Sequence, residues 1–340
     1  MIIGILAPIL AFAVIVLVHE GGHFICAKLL GMGVKEFAVG FGPKLWSVRK
    51  NGTLYSLRII PLGGFNKIVG MNRSVAGNPQ AFSSKPVWAR LIVIAAGSVF
   101  NILFAFLLIA GAFWIKGYQT FSNVPVIGAV MTDSSAEASG LAAGDRILSV
   151  HGIPLEKWTD IGPAFQDKGN TVVPLEIERN GMHMSVQVIP RLNEEGRPII
   201  GIIPSWETHK AELGEALWMS GEKCAELLKM MGKGLYSMIY GNTQDISGPI
   251  GVARMAGYAA DEGFFSLVMF IALLSLNLGF LNLLPIPLLD GGVLLFTLLE
   301  GISGRKIPEK ALFYIQTAGI AILVGLFAFA MINDITGIMK

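Results

Sequence analysis

Four long apolar stretches, residues 2–30, 91–115, 264–289 and 311–332, limit what this chain can become. A helix needs about 20 apolar residues to cross a hydrocarbon core, and backbone in lipid must bond its own N–H and C=O groups. Each stretch therefore predicts a membrane-spanning helix. Composition agrees, since 53% hydrophobic residues with 15% charged is not the balance of a water-soluble chain. The first stretch lacks a basic n-region and a small-residue cleavage site, so it reads as a retained span and not a removed signal peptide.

Charge orients the spans. The loop after the first carries Lys28, Lys35, Lys44, Arg49, Lys50, Arg58, Lys67, Arg73, Lys85 and Arg90 against Glu36 alone, which by the positive-inside rule makes it cytoplasmic. The segment between the second and third spans is acid-rich, with Asp133, Glu137, Asp145, Glu194 and Glu195 among others, and belongs outside. Both termini are then outside. The net charge is only +2 and the basic residues are grouped by segment, so no nucleic-acid partner is expected. Cys26 and Cys224 lie far apart on separate elements and read as free buried thiols.

The first span ends in His19-Glu20-Gly21-Gly22-His23. On a helix, histidines four residues apart project from one face and can bind one metal ion, with the adjacent carboxylate placed to take a proton from water. In a soluble protein, chance would explain such a pattern. Inside an apolar segment an ionisable residue costs roughly 2.5–3.5 kcal/mol, which favours the metal reading. A third ligand is offered by Asp290, after the helix-breaking Asn282-Leu-Leu-Pro285-Ile-Pro287 run; the plainer reading makes Asp290 a cap for a helix starting at Val293. Two histidines and one carboxylate leave a tetrahedral position open, as a catalytic zinc site requires. His151 and His183 have no second ligand at useful spacing and read as surface or turn residues.

Within the basic loop, residues 46–50 and 53–59 flank Asn51-Gly52, the pair suited to a type I′ turn, so a β-hairpin is predicted. The following Ile60-Pro61-Leu62-Gly63-Gly64-Phe65 is apolar enough to lie in or on the bilayer. The outside segment has short β-rich runs at 126–130, 146–150, 172–178 and 184–189, and a short helix over 134–140. Its Gly140-Leu-Ala-Ala-Gly144-Asp145-Arg146-Ile147 stretch resembles the core signature of a PDZ domain, which implies binding of peptide carboxyl ends by strand addition. From Leu213, apolar residues at Leu217, Ser220, Cys224, Leu227, Met231, Leu235 and Met238 predict an amphipathic helix, interrupted near Gly232 or Gly234.

Taken together, these motifs resemble the RseP-type site-2 protease family, intramembrane zinc metalloproteases of the M50 kind. The resemblance runs nearly end to end: His19-Glu20-x-x-His23, Gly40-Phe-Gly42-Pro43, Pro61-Leu-Gly63-Gly64-Phe65, one PDZ-like domain, Ser247-Gly-Pro-Ile-Gly-Val252 and Asn282-x-x-Pro285-x-Pro287-x-x-Asp290-Gly291. The chain departs from the family at Gly21, usually bulkier, and at Gly97-Ser98-x-x-Asn101, where Gly-Pro usually precedes the asparagine. The resemblance implies that His19, His23 and Asp290 bind Zn²⁺ and that Glu20 is general base and acid. It also implies that Asn282, Pro285, Pro287, Pro61, Gly63, Gly64 and Asn101 form the substrate-binding surface.

The expected fold is a polytopic α-helical membrane protein of four transmembrane helices, with a cytoplasmic-side β-hairpin and one extracytoplasmic PDZ-like α+β domain. Its expected parts are residues 1–30, 31–87, 88–116, 121–204, 205–260, 264–290 and 310–333. By resemblance the protein cleaves single-pass membrane proteins, such as anti-sigma factors or signal-peptide remnants, after a first cut by another protease in the bacterial inner membrane. The alternatives are a membrane-bound PDZ adaptor with a non-catalytic metal site and, less well supported, a metal transporter.

Overall fold

The computed structural model describes residues 2–71, 77–193, 196–239, 248–305 and 308–339. Side chains of 2–6, 61, 62, 238, 239, 309, 322, 323, 326, 333 and 337–339 lie outside that description. Arg73, Glu194, Glu195 and Ser247 are outside it too, as are the side chains of Pro61 and Met238. The chain divides into two compact units, residues 1–115 with 212–340, and Lys116–Ala211.

The first unit begins with helix α1, Ile2–Leu29, which continues through Gly21-Gly22 without a break. Strands β1, Val34–Lys50, and β2, Thr53–Ile68, follow and pair antiparallel. They turn at Asn51 and Gly52, whose φ values of 48° and 78° suit the predicted tight turn. The hairpin is longer than the predicted segments, and it folds back on itself. Phe37 pairs with both Tyr55 and Asn66, Ala38 with Ser56 and Phe65, and Val39 with Leu57 and Gly64. Tyr55, Ser56 and Leu57 also pair with Val48, Ser47 and Trp46. The Tyr55–Leu57 stretch is thus inside the sheet, and among the described residues the sheet's two outer edges are Trp46–Lys50 and Gly64–Ile68, each with a strand partner on one side only. Arg58 locks the fold-back: it donates to the carbonyl of Gly42 and the carboxylate of Glu36, both at 2.7 Å, and lies over the Phe65 ring. The next helix, α2, is Val87–Lys116.

In the second unit, β3 (Tyr118–Phe121), β4 (Ile127–Val130), α3 (Ser135–Ala138), β5 (Arg146–Val150), β6 (Ile153–Pro154), α4 (Ile161–Ala164), β7 (Val173–Arg179) and β8 (Met182–Val188) follow in order. Then come β9 (Arg191–Leu192), β10 (Pro198–Ile199), β11 (Ile202–Pro204) and β12 (Trp206–His209). The central sheet runs β6-β5-β7-β8, with β4 against β11. Ile127, Ile147, Val150, Phe165, Leu175 and Ile177 fill its core. The predicted strands and short helix are present, but the unit is wider than residues 121–204 because β3 and β12 pair at its ends. That contact joins residues too distant in sequence to leave a local turn signal. Asp145, almost fully buried, takes paired 2.7 Å hydrogen bonds from Arg179 and one of 2.8 Å from the Ala142 amide. Burial pushes its carboxyl up, but those bonds and the Arg179 charge outweigh it and hold the group below its ordinary value.

The chain returns to the first unit through α5, Leu213–Ile239, α6, Pro249–Glu262, α7, Phe264–Leu283, α8, Asp290–Ser303, and α9, Glu309–Met339. α5 is not interrupted at Gly232 or Gly234. The middle of its apolar face is covered by protein: Cys224, Leu227, Leu228 and Met231 pack with Ile102, Ala105 and Ile109 of α2 and Ala272 and Leu276 of α7, while Leu217 is exposed. Both cysteines are free, as expected, but only Cys224 is buried and Cys26 is half-buried. The third apolar stretch stops being helical at Leu284, earlier than expected, because the residue before Pro285 is driven to an extended conformation (φ −64°, ψ 143°). Three helices among the described residues are long and apolar enough to cross a membrane, over Ala7–Leu29, Val87–Lys116 and Phe264–Leu283. α9 covers the fourth expected stretch.

Candidate metal centre and active site

The site is assembled from α1, α2, the start of α8 and the edge of β2. His19 and His23 lie on the buried face of α1. That face approaches α2 closely because Gly22 has no side chain: a Cβ there would sit 2.5 Å from the Ala96 carbonyl oxygen. Small residues that let backbones approach are the usual means of packing helices where lipid removes the hydrophobic drive. Gly97 of α2 is needed for a second reason. A Cβ on it would be 2.7 Å from His19 Cε1 and 2.8 Å from His23 Cε1, and closer still to His23 Nε2. The glycine leaves the space that the two rings fill.

Each ring has a partner on its other nitrogen. His23 Nδ1 is 2.7 Å from the Val93 carbonyl oxygen, which can only accept, so Nδ1 carries the proton and Nε2 presents its lone pair. His19 Nδ1 is 3.4 Å from the amide of fully buried Asn101. Asn101 Oδ1 is buried without a partner, and exchanging the amide's O and N turns it toward His19 Nδ1. Asn101 therefore stands behind His19 and is fully buried here, whereas the resemblance implied a substrate contact for it.

Asp290 opens α8 itself, with Leu289 as the residue before the helix, so the helix begins three residues ahead of Val293. The approach is a tight loop in which Leu288 takes φ +83°. A side chain at Gly291 would collide with the carbonyls of Leu283 and Leu284, and one at Gly292 with that of Ile286, so both glycines are required where the loop folds under the helix start. Asp290 Oδ2 comes within 3.1 Å of His19 Nε2 and 3.3 Å of His23 Nε2, and the two Nε2 atoms are 3.2 Å apart. Tetrahedral zinc with ligand bonds of about 2.0–2.1 Å separates its ligand atoms by about 3.3 Å. Asp290 Oδ2 is buried and has no hydrogen-bond donor, the state of an atom made for a cation. The donor set and its spacing fit Zn²⁺, and His19, His23 and Asp290 form such a group of candidate ligands.

Glu20, half-buried, follows His19 directly and lies against β2. A Cβ on Gly64 would be 3.3 Å from Glu20 Cγ, and Asn66 Nδ2 is 2.8 Å from Glu20 Oε2. Gly63 has φ +118° and no room for a side chain beside Phe41. Pro61 lies in β2. Asn282 is in the last turn of α7, half-buried, while Pro285 is exposed and Pro287 half-buried in the loop toward Asp290. Val93 and Asn66 were not singled out in the sequence, and Gly97 was noted only beside Asn101, with no role at the histidines. A backbone carbonyl leaves no trace there, but Asn66, a polar residue just after an apolar run, does.

Ligand helices in an apolar bundle, a His₂–carboxylate cluster and an adjoining glutamate define a membrane metalloprotease. The chain belongs to peptidase family M50, whose model matches residues 7–326. It is 34% identical over 334 residues to a Clostridium acetobutylicum protein whose assigned name is that of a zinc metalloprotease, covering 97% of both chains. A similarly named Synechocystis protein is 34% identical, over 98% of this chain and 94% of its own. The regulator of sigma-W protease RasP of Bacillus subtilis is 27% identical over 97% of this chain and 98% of its own. Among solved structures, the PDZ domain of an SdrC-like protein from Listeria monocytogenes covers 25% of this chain at 22% identity and a TM-score of 0.22, too low to bear on the fold.

Proposed function

We propose that this protein is an intramembrane zinc endopeptidase that hydrolyses a peptide bond in or near a membrane-spanning segment of its substrate. The observation that carries the reading is the juxtaposition of three ligand atoms 3.1–3.3 Å apart, Glu20 beside them and an unpartnered strand edge over Gly64–Ile68. Zinc held by His19, His23 and Asp290 would polarise the scissile carbonyl and lower the pKa of water from ~15.7 to about 7. Glu20 takes the proton from that water and delivers it to the leaving amine. A helical substrate hides its carbonyls in its own hydrogen bonds and must unwind. Pairing with the Gly64–Ile68 edge of β2 then satisfies the freed backbone groups. Pro61, Gly63, Asn282, Pro285 and Pro287 would line the path of the extended chain. Apolar residues exposed on the hairpin, among them Leu45, Trp46, Ile59 and Ile60, suit contact with lipid or with such a substrate.

In the bilayer α9 is the fourth span, both termini are extracytoplasmic, and the metal centre lies toward the cytoplasmic side of a bacterial inner membrane. Substrates are single-pass proteins shortened by an earlier cut, such as anti-sigma factors; the similar RasP carries a name that links it to regulation of sigma-W. The unit Lys116–Ala211 selects them, as a PDZ-like module for new carboxyl ends or by excluding bulk. In proteoliposomes, the protein with zinc should cut a single-span peptide carrying a mid-span Pro-Gly break, with mass spectrometry placing the cut within the span. Glu20→Gln should retain zinc and lose turnover. Normal turnover by that variant, or cuts only outside the span, would refute the reading.

A further inference from the structure

The geometry assigns to Asn66 the positioning of Glu20, a role that rests on the proposed function, in which Glu20 is the base. Gly64 and Asn66 are two apart on β2 and so face the same way, toward α1. Gly64 leaves the room: a Cβ there would be 2.8 Å from the Ala38 carbonyl oxygen, 3.3 Å from Glu20 Cγ and 3.5 Å from Val16 Cγ1. Asn66 fills the adjoining space with an amide. Its Nδ2 lies 2.8 Å from Glu20 Oε2 and 2.6 Å from the Glu20 main-chain oxygen, so its two hydrogens go to two acceptors of one residue. Exchanging the amide's O and N would set an oxygen against both, so this orientation is fixed chemically. The pair of bonds curls the Glu20 side chain toward its own backbone and occupies one carboxylate oxygen, leaving Oε1 to exchange the proton.

The other end of the amide argues against a purely structural residue. Asn66 Oδ1 is buried with no hydrogen-bond partner, which costs stability, and an apolar side chain of the same shape would avoid that cost. Asn66 also sits on the Gly64–Ile68 edge, paired with Phe37 on one side only among the described residues. The edge proposed to receive the substrate is thereby tied to the carboxylate that acts on it. A substrate strand held in register on β2 is held in register with the base.

The test compares Asn66→Leu, Asn66→Ala and Asn66→Gln in full-length, zinc-loaded protein on the mid-span Pro-Gly peptide. Asn66→Leu should keep stoichiometric zinc, melt no lower than the parent and leave KM unchanged, while kcat falls about 10–100-fold, the loss of one charge-assisted hydrogen bond. Asn66→Gln, which keeps the donor, should recover part of kcat. Should the leucine variant not accumulate folded, the alanine variant gives the same reading. Parental kcat in Asn66→Leu or Asn66→Ala, or a fall matched by lost zinc or stability, would overturn the role of Asn66. Glu20→Gln run in parallel separates the two failures, because turnover there would overturn the reading of the site itself.

Discussion

Gly97→Ala is the smallest change that should empty the metal centre without unfolding the protein. The added methyl would lie 2.7 and 2.8 Å from the Cε1 atoms of His19 and His23. Carbon atoms settle at about 3.5–4.0 Å, so each ring must retreat by roughly 0.7 Å or more. Neither has an easy retreat: His23 is held by the Val93 carbonyl at 2.7 Å, and His19 has Asn101 behind it. Metal–ligand distances tolerate only about 0.2 Å, so the three-atom cluster no longer closes on one ion. The overpacking costs about 1–3 kcal/mol, partly offset by about 1 kcal/mol from replacing a helical glycine with alanine. Gly111 lies in the same helix with nothing within 4 Å of an added Cβ, so Gly111→Ala takes the helix gain alone. Zinc competition against a graded chelator, with melting in detergent, reads both quantities. Gly97→Ala should lose at least about 100-fold in zinc affinity with a small change in melting, and Gly111→Ala should keep its zinc. Parental zinc affinity in Gly97→Ala would refute the placement of the rings.

Asn101→Ala should lower zinc affinity by about 10–100-fold, the usual effect of removing a ligand's supporting hydrogen bond, while Asn101→Asp, which keeps an acceptor, should lose less; chelator competition separates them. The Asp145–Arg179 contact should make the Lys116–Ala211 unit acid-sensitive. Because the folded carboxyl lies below its ordinary 3.8, its contribution is complete above that value and disappears as pH falls through the lower folded one. Arg179→Met should flatten that part of the pH dependence, read by near-UV circular dichroism of the full chain.

The His19, His23 and Asp290 cluster was legible because its chemistry is written in residue types: His19 and His23 at helical spacing, and an aspartate after two prolines in an apolar run. The hairpin turn was legible for a similar reason, since Asn51-Gly52 suits left-handed φ values. What the sequence hid was tertiary. That Gly64–Ile68 is an edge and Tyr55–Leu57 interior depends on β1 taking a partner on each side, which no local pattern encodes. The end of α7 could be read from Pro285, yet the long apolar run drew the expected span onward to Leu289, because hydropathy reports burial and not backbone conformation.

The glycines around the site follow the same division. Taken locally, Gly21, Gly22 and Gly97 each lower helix propensity by about 1 kcal/mol. In the structure α1 is continuous, and two of the three are placed by packing: Gly22 against the Ala96 carbonyl and Gly97 against both imidazoles. Gly21 meets nothing within 4 Å. Propensity at Gly22 and Gly97 is given up so that α2 can support the ligands from behind, Val93 through its carbonyl and Asn101 through its amide. The candidate metal centre therefore depends as much on α2, which carries none of the three candidate ligands, as on α1, which carries two. Substitutions along the Val93–Gly97–Asn101 face should accordingly act on metal affinity before they act on folding.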